Sequence, residues 1–261
     1  MTRKLQHFED TLTWEEKAKE NPLYAIMSHK EFEGAQSEPA PEQLAGFYGK
    51  GVHLWNAHFK SAFETISHAP PLKVLEYGCG MGRILQMPAQ TGAQCYGIDI
   101  SPTQLELARK HMPHSGNTDF LALENGRIIL LPGNSIDYAY SFAVLQHIQN
   151  TDDLFFAISE IIRVTKPGGT INVQVPYRDS IFDGRHRVLK RFNLGQRSFW
   201  VYLHKKYFYL PVVRTIAHSH WGGAAYYVSL SRFLQAFSGK TLLTSVEHTN
   251  LGSTFIKAVK K

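Results

Sequence analysis

The sequence predicts an α/β protein built on a doubly wound, largely parallel sheet, and three observations carry that prediction. A short run of extended-state formers, Lys73 to Glu76, leads into a glycine turn, Gly78-Cys79-Gly80-Met81-Gly82. A second short run, Tyr96 to Ile100, holds a carboxylate, Asp99, about twenty residues after the turn, where a doubly wound fold places the acid that takes ribose hydroxyls. From there to residue 176, strand-like and helix-like runs alternate. Such alternation makes a parallel sheet covered on both faces, with ligands at the carboxyl ends of its strands.

Residues 1–68 precede the first strand and read as a helical extension. Thr13 is placed to cap a helix, with Glu16 three residues later completing a capping box, and Asn21-Pro22 ends it. A Pro/Glu/Ser-rich loop, Gln36 to Glu42, follows. Leu44 to Ser67 then carries Phe47, Leu54, Trp55, Phe59, Phe63 and Ile66 at helical spacing. These aromatics read first as packing for a helix laid on the sheet, with direct substrate contact as the alternative.

After the breaker Pro70-Pro71 the chain enters its first strand. The glycines of the turn let it reverse sharply and bring backbone N–H groups to a ligand where a Cβ would collide, and the helix after them presents its N-terminus. Ser101 caps a helix running to about His111, with Pro102 in its first turn. Thr118 to Leu123 and Ser135 to Phe142 are the third and fourth strands. Asp152 to Val164 is a helix closed by Lys166-Pro167-Gly168-Gly169, and Thr170 to Val175 is the fifth strand. Residues 177–226 break the alternation; a helix from Ser229 to Phe237 and two strands, Thr241 to His248 and Ser253 to Val259, complete a seven-stranded sheet. The expected divisions are an extension over 1–68, a core over 69–176, an insertion over 177–226 and a return to the core over 227–261.

Composition narrows the class. A chain of 261 residues is long enough for one α/β core with additions. No apolar run approaches the length of a membrane span, and Met1 to Asp10 is charged rather than signal-like. Cys79 and Cys95 both fall in the expected core, which suits a reducing compartment, and the expected location is cytoplasmic. The net charge of +6 conceals an asymmetry. Acids outnumber bases before Pro41, whereas no Asp or Glu lies between Asp183 and Glu247, a stretch holding Arg185, Arg187, Lys190, Arg191 and further bases.

The glycine turn departs from the usual dinucleotide pattern: it runs G-x-G-x-G, with Glu76 two residues before the first glycine. That turn, followed by Gly97-Ile98-Asp99-Ile100-Ser101, closely resembles the cofactor turn of the class I S-adenosylmethionine-dependent methyltransferases. The resemblance extends to Leu131-Pro132 through Asp137, to Val144-Leu145-Gln146-His147-Ile148 and to Arg163-Val164-Thr165-Lys166-Pro167-Gly168-Gly169, segments similar to those of the small-molecule, methyltransferase type 11-like branch. It implies a Rossmann-like sheet whose last strand is antiparallel, S-adenosylmethionine as cofactor and S-adenosylhomocysteine as product. Carried onto this chain, it places Glu76 and Gly78 at the methionine end, the backbone of Gly78 to Gly80 against the cofactor, Asp99 on the ribose hydroxyls and Ile100 on the adenine face. Tyr77, Cys79, Arg83, Asn125, Ser141 and Phe142 complete the implied cofactor set. Where relatives carry an Asp toward the adenine amino group, this chain reads Asn125-Gly126-Arg127, so Asn125 or a backbone carbonyl must serve.

A methyl sulfonium needs an aligned acceptor, excluded water and, for a protonated acceptor, a base. His147 and Tyr177 are the candidate catalytic residues, with Asp179, His186, His218, His220 and Tyr226 also able to move a proton. His218 and His220 beside Trp221 form at most half a metal site, and no metal is expected. The insertion interleaves bases with aromatics and admits three readings: a lid, a nucleic-acid face, or a basic surface against anionic membrane. Arg185, Arg187, Arg191, Trp221 and Tyr226 are its candidate substrate contacts, which suits an anionic small-molecule acceptor. The expected reaction is methyl transfer to a small or medium-sized acceptor, at oxygen, by in-line displacement. An RNA methyltransferase, a non-catalytic cofactor-binding regulator and a nicotinamide oxidoreductase are the alternatives, and the oligomeric state is open.

Overall fold

The central sheet of the computed structural model orders its strands β3-β2-β1-β4-β5-β8-β7. The structure describes residues 13–27, 29–32, 37–66, 71–148, 150–178, 228–248 and 253–261. The strands are β1 (Lys73–Tyr77), β2 (Gln94–Asp99), β3 (Thr118–Ala122), β4 (Ile136–Ser141), β5 (Thr165–Arg178), β7 (Thr241–His248) and β8 (Ser253–Lys260). A two-residue β6 (Val228–Ser229) pairs with the end of β5. Strands β1 to β5 are mutually parallel, and β8 runs antiparallel to both β5 and β7, as predicted for the last strand.

The helices are α1 (Trp14–Glu20), α2 (Pro22–Ile26), α3 (Pro41–His58), α4 (Lys60–Glu64), α5 (Gln86–Gln90), α6 (Pro102–His111), α7 (Thr151–Val164) and α8 (Leu230–Phe237). Thr13 and Glu16 form the predicted capping box on α1, and Asn21 closes α1 while its side chain caps α2. Pro41 opens α3 three residues before the predicted run begins at Leu44, because proline costs nothing at a first helical turn.

Alternation along β1 sorts the two layers. Val74 joins a core shared with Phe47, Trp55, Phe59, Leu85, Leu105, Tyr138 and Phe255, so α3 to α6 and the extension cover one face. Leu75 and Tyr77 join Ile98, Ile158, Ile161, Phe233 and Phe237, so α7 and α8 cover the other. Phe47, Trp55 and Phe59 are buried in the first layer, the packing role preferred for them. The rings of Trp55, Phe59, Tyr138 and Tyr140 meet at centroid distances of 4.8 to 6.4 Å.

The helix expected after the glycine turn starts late: turns continue to Leu85, and the five-residue α5 comes after. Gly80 and Gly82, at φ +50° and +74°, hold the left-handed conformation that interrupts a right-handed helix. The turn is instead braced by α3. A Cβ on Gly51 would strike the backbone carbonyl of Arg83, the Tyr48 hydroxyl donates to Met81 O at 3.0 Å, and Gln86 Nε2 donates to Tyr48 O at 2.8 Å.

Candidate active site

A cavity of about 500 Å³ opens at the carboxyl ends of β1, β2 and β4, walled by the glycine turn, α1, α2 and the first turns of α6 and α7. Of the predicted site residues, Glu76, Tyr77, Gly78, Cys79, Gly80, Arg83, Asp99, Ile100, Phe142 and His147 line it. Two do not. Ser141 is fully buried and its hydroxyl donates to Tyr77 O at 2.9 Å, tying β4 to β1 below the cavity floor. Asn125 is exposed in a tight turn at φ +52°, and the wall there is made by Leu123, Gly126 and Arg127.

Asp99 ends β2 with both carboxylate oxygens engaged. Gly80 N donates to Oδ2 at 2.8 Å and Ser101 N donates to Oδ1 at 2.9 Å. Burial raises its pKa above the ordinary value, against the pull of those backbone N–H groups. Gly78 N and Cys79 N both donate to Ile98 O, at 2.7 and 3.0 Å. The turn therefore spends these N–H groups on β2 rather than on a ligand, which corrects the expectation that they point outward. What the glycines provide is space: a Cβ on Gly78 would overlap Val144, and one on Gly80 would come within 2.7 Å of Ile26 Cδ1.

A carboxyl and a guanidinium stand at the other end. Glu76 is 3% exposed and accepts from the Tyr140 hydroxyl at 3.1 Å. Burial pushes its carboxyl up to about 8, although the Tyr140 hydrogen bond and the Arg83 charge pull the other way. Arg83 lies on the same wall with its guanidinium 5.8 Å from the Phe47 ring centre and 5.9 Å from that of Phe142. Burial brings it down to about 10, with Glu76 opposing, so it remains a cation near neutral pH.

The extension closes the cavity through a residue that sequence reasoning passed over. Glu15 accepts from the Ser101 hydroxyl at 2.6 Å, the Thr103 hydroxyl at 2.7 Å and Thr103 N at 3.2 Å, so α1 caps the start of α6 from a distance of more than eighty residues in sequence. Burial works against the charge, but those hydrogen bonds and Lys19 hold the Glu15 carboxyl at about 2. The latch sets Trp14 on the cavity wall, where its ring meets His147 edge-on at 4.9 Å. Burial, with the Lys17 charge, lowers His147 to about 4. Among the wall residues not foreseen are Ile26, Gln104, Val144 and Phe156. The cap Thr13 was legible, but the partner of Glu15 was not, because the contact is long-range.

The departure at Arg127 has a local explanation. Its guanidinium pairs with Asp153 at 2.9 Å and lies 4.6 Å from the Phe156 ring centre, pinning the 123–128 turn to α7. Tyr177 is placed by backbone alone, near the end of β5 opposite Val228. Arg185, Arg187, Arg191, Trp221 and Tyr226, with Asp179, His186, His218 and His220, lie outside the described residues. Among the described residues, no cluster of three metal-ligand side chains occurs and no helix is long and apolar enough to cross a membrane.

Residues 75–173 match the family model for a methyltransferase domain. Over 117 residues, 45% of the chain, the sequence is 31% identical to the ubiquinone biosynthesis O-methyltransferase of Chelativorans sp. (strain BNC1), covering 45% of that protein. It is 32% identical to 24-methylenesterol C-methyltransferase 3 of Arabidopsis thaliana over 114 residues, 42% of this chain and 31% of that one. The chain thus spans less than half the length of these relatives. The crystal structure of magnesium protoporphyrin IX methyltransferase from Synechocystis PCC 6803 with bound SAH superposes with a TM-score of 0.54 at 16% identity, covering 86% of this chain and 89% of that one, a likeness of fold. Residues 75–173 thus match a methyltransferase domain, and the glycine turn and strand order around them are similar to those of the class I S-adenosylmethionine-dependent methyltransferases.

Proposed function

We propose that this protein transfers the methyl group of S-adenosylmethionine to a small or medium-sized acceptor at an oxygen, hydroxyl or carboxylate, by in-line displacement. The observation that carries the reading is the arrangement of charge along one cavity. Asp99, a carboxylate on the cavity wall, suits a pair of ribose hydroxyls, while Arg83 and, once ionised, Glu76 at the other end offer one positive and one negative group to a zwitterionic amino acid. The volume of about 500 Å³ falls within the ordinary range for a cofactor-sized ligand. Gly78 and Gly80, lacking a Cβ, let Val144 and Ile26 pack directly on the turn that joins the two ends.

The cofactor, when bound, supplies a sulfonium methyl that is already electrophilic. What remains for the chain is to bind, align and keep water out. Arg83 receives a carboxylate and Glu76 an ammonium, which fixes the amino-acid end; Asp99 fixes the ribose; Ile100, half-exposed at the rim, covers the adenine. Trp14 and His147 form the wall on which an acceptor lies. A histidine with a pKa of about 4 is a poor base near neutral pH, so we assign His147 to that wall rather than to proton removal. An oxygen acceptor is favoured by the likeness to a ubiquinone biosynthesis O-methyltransferase, and an anionic one by the charge of the insertion.

The test is methyl transfer from isotopically labelled S-adenosylmethionine to a panel of phenols, carboxylates and sterols, with the Arg83→Leu variant alongside. Label on oxygen, lost in the variant, is expected. Label on carbon alone would refute the oxygen assignment, and a likeness to a sterol C-methyltransferase makes that outcome worth including.

A further inference from the structure

Ala143 stands on the cavity wall with φ +57°, the left-handed region that a residue with a Cβ adopts at a cost. The other described non-glycine residues at positive φ are two asparagines and a histidine, none of them on that wall. Alanine has no polar side chain with which to compensate, so something else must hold this conformation.

The holder is on the neighbouring strand. β4 ends at Ser141, paired with Val173, while β5 continues, so Gln174 reaches past the last paired residue into the bend. Its Oε1 accepts from Ala143 N at 2.7 Å, and the side chain is 8% exposed. The residues on either side of Ala143 make the methionine end of the cavity: the Phe142 ring lies against the Arg83 guanidinium, and Val144 closes over Gly78 so tightly that no Cβ fits there.

We propose that Gln174 is a positioning residue for cofactor binding: by holding Ala143 left-handed, it keeps Phe142 against Arg83 and Val144 against Gly78. It touches no ligand itself, and the assignment rests on the methyltransferase reading of the cavity. Released from Gln174, Ala143 relaxes toward a right-handed or extended conformation and carries both neighbours off the wall.

The experiment is a two-by-two comparison of S-adenosylhomocysteine affinity by calorimetry. Gln174→Leu is measured against Gln174 in the wild-type background and again in an Ala143→Gly background. With alanine at 143, loss of the hydrogen bond is expected to weaken binding about tenfold. With glycine, which is left-handed at no steric cost, the same loss is expected to cost less than about threefold. A general packing fault at 174 has no reason to depend on the residue at 143, so an equal loss in both backgrounds, or no loss, overturns the proposal. Should Gln174→Leu not fold, Gln174→Asn, which draws the acceptor back by one methylene, goes through the same cycle with the same expectation. If the wild type itself does not bind S-adenosylhomocysteine, the cofactor reading falls and this assignment with it; if it binds, only the role of Gln174 is at stake.

Discussion

On the proposed reading of the cavity, cofactor binding is expected to be linked to a proton on Glu76. Burial pushes its carboxyl up to about 8, and the groups facing it are the Tyr140 hydroxyl, the Arg83 cation, the Leu85 backbone N–H and the Asp99 carboxylate. At pH 7 such a group is about nine-tenths protonated, yet holding an ammonium requires the ionised form. Removing the proton first costs on the order of 1 kcal/mol for each pH unit below that pKa. Affinity for S-adenosylhomocysteine is therefore expected to rise about tenfold per pH unit up to about pH 8 and then to level. Near pH 7, binding should release close to one proton, measured by calorimetry in buffers of different ionisation enthalpy. Glu76→Gln should bind more weakly and without this slope. Stability of the free protein follows the same group: its folded pKa lies above the ordinary 4.5, so the contribution of the protonated form is complete below that value and is lost as pH rises through about 8. An affinity that is flat between pH 6 and 8, or that improves toward acid, would refute the reasoning.

Other predictions concern the frame around the cavity. Gly46→Ala and Gly49→Ala, with nothing within 4 Å of the added carbon, should each stabilise α3 by about 0.5–1 kcal/mol in thermal or denaturant unfolding. Gly51→Ala should do the reverse, by about 1–3 kcal/mol, because its Cβ meets the Arg83 carbonyl; a stabilised Gly51→Ala would show that α3 does not brace the turn. Glu15→Ala should cost about 1–2 kcal/mol, as loss of a cap does. Because the folded pKa of Glu15 lies at about 2, below its ordinary 4.5, that difference should be present above pH 4.5 and vanish as pH falls toward 2; a difference that persists in acid would contradict the latch. Asn125→Ala should leave S-adenosylhomocysteine affinity within about twofold of wild type, since Asn125 lies off the cavity wall, and a larger loss would return it to the site.

The legible parts of the fold were those in which local pattern and tertiary role agree. The short extended runs of β1 and β2, the Thr13 and Ser101 caps, and the carboxylate closing β2 all appear where expected, because each is determined by residues a few positions apart. The glycine turn was legible as a turn but not in its use. That Gly78 N and Cys79 N bond to Ile98 O depends on how β2 lies against β1, which spacing alone does not encode. The same holds for Ser141, whose hydroxyl finds Tyr77 O, and for Asn125, which a left-handed turn carries outward. Glu15 and Gln174 went unnoticed for a related reason. Each acts on backbone or hydroxyl groups tens of residues away, Ser101 and Thr103 for one and Ala143 for the other.

The central claim is that one cavity, with Asp99 at its ribose end, binds S-adenosylmethionine. It is tested most directly by thermal protection of the wild type and of Asp99→Ala by S-adenosylmethionine, S-adenosylhomocysteine and NADH. Ligand at a hundred times its dissociation constant adds about 2.7 kcal/mol of stability, a readily measured shift. Protection by the two sulfur compounds but not by NADH, abolished in Asp99→Ala, is the predicted result; protection by NADH, or by the sulfur compounds equally in both proteins, would contradict it.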